Sequence, residues 1–407
     1  MSIKNKMTSS FSRLEGGLFS SIAKADVGNS YTELGKSGVA LMGWADPFYP
    51  DPSLPKHVKN AMIESLETGF PCHYTMPIGN SDLKKVVAKK LKQYNGIDVD
   101  PERNILITPG SDSGLFYAML PFIAQGDEVM VPDPSYPNNF LNPEIMGGVT
   151  VRVPLYEKDN YQPNIDEFKK RLTKKTKMVL LTNPNNPTTT VFRRKNLEEL
   201  AKFIIDNDLI LVVDQAFEDT IFDNIEFVNM ATIPGMWERT VTVFSLSKGM
   251  ALSGLRVGYI VANDEIMDCL YGGAVSVIGA TNTLAQIGAI AALEHDEFMH
   301  EYNIIHDRRR KIAHEIFNSI PGFSMLMPES SFLSWVNVTE LGDSSDICSY
   351  LIKDAKVAVN DGKAYGDQGI GHIRIVHGSL KDDEEAINAL KRIQSSLTKL
   401  ANERGII

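Results

Sequence analysis

Five apolar residues stand in a row at Leu209-Ile210-Leu211-Val212-Val213, and Asp214 closes the run. A strand with one wet face alternates apolar and polar residues. An unbroken run needs cover on both faces, as in a parallel sheet between two layers of helices. Ile105-Leu-Ile-Thr108, Asp127-Glu-Val-Met-Val-Pro132, Lys177-Met-Val-Leu-Leu181 and Val241-Thr-Val-Phe244 also read as strands. Amphipathic stretches lie between them, at 81–94, 115–124, 164–172, 197–207 and 283–293. Strands alternating with helices predict an α/β fold, with a mainly parallel, doubly wound sheet over residues 50–300. Residues 1–49, read as an arm and part of a small domain, join 301–407 in a smaller α+β domain. Asp214 is then a carboxylate at a buried strand end, and it needs a partner there.

Charge narrows the function. Asp and Glu number 51 against 41 Lys and Arg, a net charge of -10. That balance argues against a nucleic-acid partner, whose phosphates call for clustered cations. The longest basic cluster, Arg308-Arg-Arg-Lys311, reads as a solvated helix face. Cys72, Cys269 and Cys348 lie far apart without a CxxC pair, which fits a reducing compartment and indicates no metal site. The histidines have no ligand spacing either. Neither a signal peptide nor a membrane-spanning run is read, so a cytoplasmic enzyme is expected.

The chemistry gathers in Ser245-Leu-Ser-Lys-Gly-Met-Ala-Leu-Ser-Gly-Leu-Arg256-Val-Gly-Tyr259. Lys248 follows a strand and sits among small hydroxyl residues. An amine in a partly desolvated place beside another cation, here Arg256, loses basicity and becomes a nucleophile. Arginine also grips phosphate with its planar fork. A lysine for an aldehyde, with serine and arginine for a phosphate, suits pyridoxal 5′-phosphate. A second phosphate cradle is read at Gly110-Ser111-Asp112, where a strand turns into a helix N-terminus with free N–H groups. In Gly371-His-Ile-Arg374-Ile-Val376, Arg374 alternates with isoleucines and so faces away from the apolar side.

These motifs resemble those of the fold-type I, pyridoxal-phosphate-dependent aminotransferases (class I/II, the aspartate aminotransferase superfamily). The lysine signature is matched by Ser245, Ser247, Lys248, Gly254, Arg256 and Gly258, and the Asn-Pro loop by Asn183-Pro-Asn-Asn186-Pro-Thr-Thr189. The resemblance covers nearly the whole chain, in the family's order. It implies a cofactor Schiff base on Lys248, with Asp214 at the pyridinium nitrogen and Asn186 at the ring O3. Asn186 also counts among the substrate contacts. Tyr136 would stack on the ring. Gly110, Ser111, Asp112, Ser245, Ser247 and Arg256 would hold the phosphate end, joined by Tyr74 reaching across from a neighbouring subunit. Arg374, Gly43 and Trp44 would meet the substrate, and Thr281 or Asn282 would approach the partner's cofactor. Four departures stand out. Thr189 replaces the usual glycine, Phe217 replaces a tyrosine that contacts O3, Lys363 is unusual in its segment, and the loop before Trp335 lacks glycine.

The expected activity moves an amino group between an L-amino acid and a 2-keto acid, in a homodimer with shared sites, with no nucleic-acid or membrane partner. Lys248 would be general base and acid. A carbon–sulfur β-lyase on the same fold remains an alternative, for which Phe217 leaves room. A non-catalytic cofactor-binding regulator is another. The amino acid is not legible.

Overall fold

The computed structural model describes residues 3–12 and 29–406. Residues 1–2 and 13–28 of the predicted N-terminal arm lie outside that set, and Asn29–Lys36 is helical. The strands are β1 Ala40–Leu41, β2 Ile105–Thr108, β3 Glu128–Asp133, β4 Val149–Pro154, β5 Thr176–Thr182, β6 Ile210–Asp214, β7 Thr240–Ser245, β8 Gly258–Val261, β9 Ser334–Asn337, β10 Val357–Ala358, β11 Asn360–Asp361 and β12 His372–Ile375. The central sheet has the order β2-β8-β7-β6-β5-β3-β4. β8 runs antiparallel to both neighbours, and the other pairs are parallel.

The apolar runs are covered on both faces, as their composition demanded. Val179, Leu181, Leu211 and Val213 pack with Leu197, Leu200, Phe203 and Ile204 of the helix Arg194–Asp206. Their neighbours Met178, Leu180 and Val212 face the other way, onto Leu115, Ala118, Met267 and Leu270. A period of two along each strand thus feeds two cores. Helix starts are set by side-chain caps. Asn80 accepts N–H bonds from Asp82 and Leu83 at 2.8 and 3.3 Å, and so opens the helix Ser81–Lys90. The helix predicted over 115–124 instead runs Ser111–Met119, so its first turn lies in the Gly/Ser segment itself.

Another apolar cluster joins the two ends of the chain. Met42 packs with Phe317, Leu351, Ile373, Ile375, Leu390 and Leu397. β1 pairs in parallel with β10, and β12 lies between β11 and β9 in an antiparallel sheet. Ile373 and Ile375 enter this core, which leaves Arg374 on the opposite side of β12.

One expectation is overturned. Arg308-Arg-Arg-Lys311 is not a solvated face, because Arg309 and Arg310 are 0% exposed. Arg309 pairs with Asp383 at 2.7 Å and donates to the carbonyls of His377, Ser379 and Leu380 at 3.2, 2.9 and 2.9 Å. Arg310 pairs with Asp223 and Asp307, each at 2.6 Å, and lies over Phe222. Only Arg308 and Lys311 remain largely exposed. A charged residue is buried when distant acceptors meet it, and no local pattern reports those acceptors. Among the described residues, no helix is long and apolar enough to cross a membrane.

Candidate active site

The parallel strands of the central sheet finish along one edge at Thr108, Asp133, Thr182, Asp214 and Ser245. In open α/β sheets the loops beyond that edge form the ligand crevice. Here they enclose a cleft of ≈ 580 Å³ together with residues 44–46 and β12. Lys248, Ser111, Asp112, Tyr136, Asn186, Asp214, Ser247, Arg256, Arg374 and Trp44 all line it. Gly43, Gly110 and Ser245 stand just behind its wall. Ser245 Oγ accepts the Ser247 N–H at 3.2 Å. Tyr74 is elsewhere, 95% exposed on the surface. Thr281 and Asn282 are also outside the cleft: Thr281 is buried, and Asn282 caps the helix Thr283–Glu294.

Lys248 is half-buried, and its Nζ donates to the Ala45 carbonyl at 2.6 Å. Burial is the largest influence on it and pushes its pKa down. Asp112 and Asp46 oppose the shift, while Arg374 and then Arg256 add to it. The expected cation therefore acts, but it is the lesser of two, and desolvation outweighs both. A Cβ at Gly249 would lie 2.5 Å from Asp219 Cβ, so the turn after the lysine accepts only glycine without a shift.

Asp214 ends β6 in a buried place. Burial pushes its carboxyl up to about 7, although the Ala216 N–H, donated at 3.1 Å, pulls the other way. Among the described residues, no cation pairs with it within ion-pair distance. Arg374 is in the same condition. It is buried, and its Nη1 donates to Asn186 Oδ1 at 3.1 Å and its Nη2 to the Gly43 carbonyl at 2.8 Å. Its guanidinium lies 4.8 Å over the Tyr365 ring, and its Nε has no partner. No described carboxylate pairs with it. The Arg374 bond also orients Asn186, which is left with its Nδ2 donor for the cleft.

The other end of the cleft is built for an anion. The helix Ser111–Met119 starts at Gly110 (φ 84°) without a side-chain cap, so its first N–H groups are open. Helix N-termini carry about half a positive charge. A Cβ on Gly110 would lie 2.4 Å from Arg256 Nη2, so glycine admits the guanidinium. Arg256 donates to the Ser253 carbonyl at 2.8 Å and to Ser247 Oγ at 3.5 Å, and it stands 3.8 Å from Asp112. Sequence reasoning missed Ala45, Asp46, Asn138, Ser253 and Tyr365, which also line the cleft. Tyr365 lies in a segment that carries part of the resemblance. Ser253 lies inside the stretch from Ser245 to Tyr259, and Ala45 and Asp46 directly follow Gly43 and Trp44.

Residues 40–393 match the family model for aminotransferase class I and II. The chain belongs to this family. An aspartate aminotransferase from Pyrococcus abyssi is 32% identical over 349 residues, covering 84% of this chain and 89% of that protein. An aromatic-amino-acid aminotransferase from Thermococcus litoralis is 30% identical over 364 residues, 88% and 92% of the two chains. The solved aromatic aminotransferase of Pyrococcus horikoshii superposes with a TM-score of 0.84 at 30% identity, over 92% of this chain and 100% of that one.

The chain is thus a transaminase of a pyridoxal-phosphate-dependent family, with a mainly parallel α/β fold. Two of the four departures from the aminotransferase pattern lie in the Asn186 loop and in the wall of the cleft. Thr189 takes the left-handed conformation (φ 65°) that a glycine would adopt freely. Its N–H bonds to the Asn185 carbonyl at 2.9 Å, and its own carbonyl accepts Ser330 Oγ at 2.8 Å. Phe217 is buried and packs edge-on against Phe332, with ring centroids 5.5 Å apart.

Proposed function

We propose that the cleft holds pyridoxal 5′-phosphate and that its open charges divide the work of amino transfer. One observation carries this reading. Lys248, Asp214 and Arg374 converge on one cleft, and the last two are buried without an ion-pair partner among the described residues. Each lacks what the cofactor and an amino acid would bring. Asp214 suits a protonated ring nitrogen, and the open N–H groups of Ser111–Met119, with Ser247 and Arg256, suit the phosphate. When bound, the cofactor supplies an electron sink for the charge released at the substrate's Cα. Tyr136 offers a ring for stacking. Asn186 Nδ2 offers a hydrogen bond to the cofactor's O3, which Phe217 cannot give.

Arg374 binds the α-carboxylate through its fork, and Gly43 and Asn186 hold that fork in place. Trp44 closes the substrate side. Lys248 would anchor the cofactor's aldehyde. Its amine, pushed toward the neutral form by burial, would take the proton from Cα and return one as a general acid. The second substrate is a 2-keto acid.

We assign a homodimer with shared sites, and the surface supports it. Phe70, Tyr74, Met76, Val275 and Val277 are all exposed apolar side chains. The Tyr74 segment is anchored to this chain by Thr283 Oγ1, which donates to the His73 carbonyl at 2.7 Å. That anchoring leaves Tyr74 free to reach a second copy's phosphate end. A division at residues 49/50 and 300/301 and a cytoplasmic location complete the proposal.

Incubating the purified, cofactor-loaded protein with single amino acids and no acceptor tests it. Loss of the cofactor's visible absorption with one keto acid released per site is the expected result. Continuous release of pyruvate and ammonia, with the absorption retained, would identify the β-lyase instead.

A further inference from the structure

Two of the surfaces that set Arg374 are themselves held by one buried amide. β11 pairs antiparallel with β12, and Asn360 stands directly opposite Arg374. Side chains of such a pair share a face of the sheet, so Asn360 lies on the Arg374 side of β12 and not in the isoleucine core. It is buried behind the cleft wall, and its Nδ2 donates to the Gly43 carbonyl at 2.7 Å and to the Tyr365 hydroxyl at 2.9 Å. The same Gly43 carbonyl accepts Arg374 Nη2 at 2.8 Å, and the Tyr365 ring lies 4.8 Å from the guanidinium. Asn360, Gly43, Arg374 and Tyr365 thus close a ring of contacts.

The orientation of the amide follows from its chemistry. A carbonyl only accepts, so Nδ2 must face Gly43, and its two hydrogens serve Gly43 and Tyr365. Residue 43 makes the space, because a Cβ there would lie 2.7 Å from Asn360 Oδ1. The strand is clamped one residue on. Asp361 accepts Ser344 Oγ at 2.7 Å and the Lys363 N–H at 3.0 Å, and the Lys363 amine pairs with Asp343. A guanidinium that grips a carboxylate with two N–H groups has to keep its plane and its angle. Asn186 fixes one edge of it, and the Asn360 amide stands behind the other edge and the face. We infer that Asn360 is a positioning residue for the substrate's α-carboxylate, acting on Arg374 through the Gly43 carbonyl and Tyr365.

The inference rests on the role proposed for Arg374, and its test separates the two. The cofactor-loaded protein is mixed with each amino acid that releases keto acid in the assay above, L-alanine and L-phenylalanine among those tried, and separately with hydroxylamine. Hydroxylamine reacts with the cofactor's aldehyde carbon and has no carboxylate. Loss of the visible absorption is followed against reactant concentration. Asn360→Leu should raise the amino-acid concentration at half-maximal rate about 10-fold, by the same factor for every side chain, and move the hydroxylamine rate by less than about twofold. Within one variant the ratio of the two reactants cancels any loss of folded or loaded protein. Asn360→Ala, which adds no bulk, should move the ratio in the same direction, and Arg374→Met should move it further. If Arg374→Met moves the ratio and the Asn360 variants do not, or if those variants slow both reactants equally, the inference is overturned and the role of Arg374 stands. If Arg374→Met leaves the ratio unchanged, or no amino acid releases a keto acid, the role and the inference fall together.

Discussion

Arg310 and Arg374 are both buried arginines, yet they are buried in opposite ways. Arg310 meets Asp223, Asp307 and the Pro328 carbonyl, and Arg309 beside it is equally well supplied. Among the described residues, Arg374 has one amide oxygen, one carbonyl and an aromatic face, no carboxylate, and an Nε with no partner. The same contrast separates Lys90, which lies between Glu218 and Asp219, from Asp214 only a few residues along the chain from those acids. A buried charge whose partners are all internal holds the fold together. One left open is held ready for something that arrives from outside.

The contrast can be broken at several points, the largest effect first. Lys248→Ala should cut keto-acid release at least ~10³-fold, since both proton transfer and the cofactor's anchor are lost. Its melting temperature without cofactor should stay near wild type, because among the described residues Lys248 forms no ion pair and its Nζ donates only to the Ala45 carbonyl. Arg310→Met should cost about 1–3 kcal/mol in denaturant unfolding, because the Pro328 carbonyl loses its buried donor while Asp223 and Asp307 stay partly solvated. Arg374→Met, with no carboxylate to strand, should cost less than about 1 kcal/mol in stability but raise KM for the amino donor ~10²-fold. Equal destabilisation by the two substitutions would end the comparison.

Asp214 sharpens it through pH. Burial raises its carboxyl from 3.8 to about 7, so folding without cofactor favours the protonated form. For an acid raised in the folded state, the stabilising contribution is full below the unfolded value and is lost as pH rises through the folded one. Between those two values the cofactor-free wild type should lose more stability than Asp214→Asn, as read from urea midpoints at each pH. Added cofactor should narrow the difference. The smallest effect is expected for Phe217→Tyr. Its hydroxyl enters an apolar wall beside Phe332 and should cost about 1–2 kcal/mol without cofactor. Cofactor should restore that loss by offering the hydroxyl an acceptor, measurable as a larger ligand-induced rise in melting temperature.

Much of this is legible in the amino-acid sequence alone. The apolar runs predict strands covered on both faces, and Met178 and Val179 do face different cores. Lys248, Asp214, Arg256 and Arg374 stand out by residue type and spacing and Asn186 by the resemblance of its loop, and all five line one cleft. Less legible is anything that depends on a meeting of distant segments. Arg309 and Arg310 read as solvated, because their acceptors lie up to 87 positions away in the chain. Asp46 shows no partner in its proline-rich stretch, since only the tertiary fold brings it to Ser253, 207 positions away. Arg256 looks like the main influence on Lys248 because it is the near cation in sequence. Burial and Arg374 both outrank it.

The sequence by itself determined the α/β class, the strand ends at which chemistry sits and the kind of chemistry. Those follow from local periodicity and from residue types at short spacing, which survive in one dimension. Only the tertiary structure decided which buried charges are satisfied and which are left open. That distinction depends on the desolvation of each group and on partners supplied by remote parts of the chain. Neither quantity exists until the sheet, its helices and the joined chain ends have closed around the cleft.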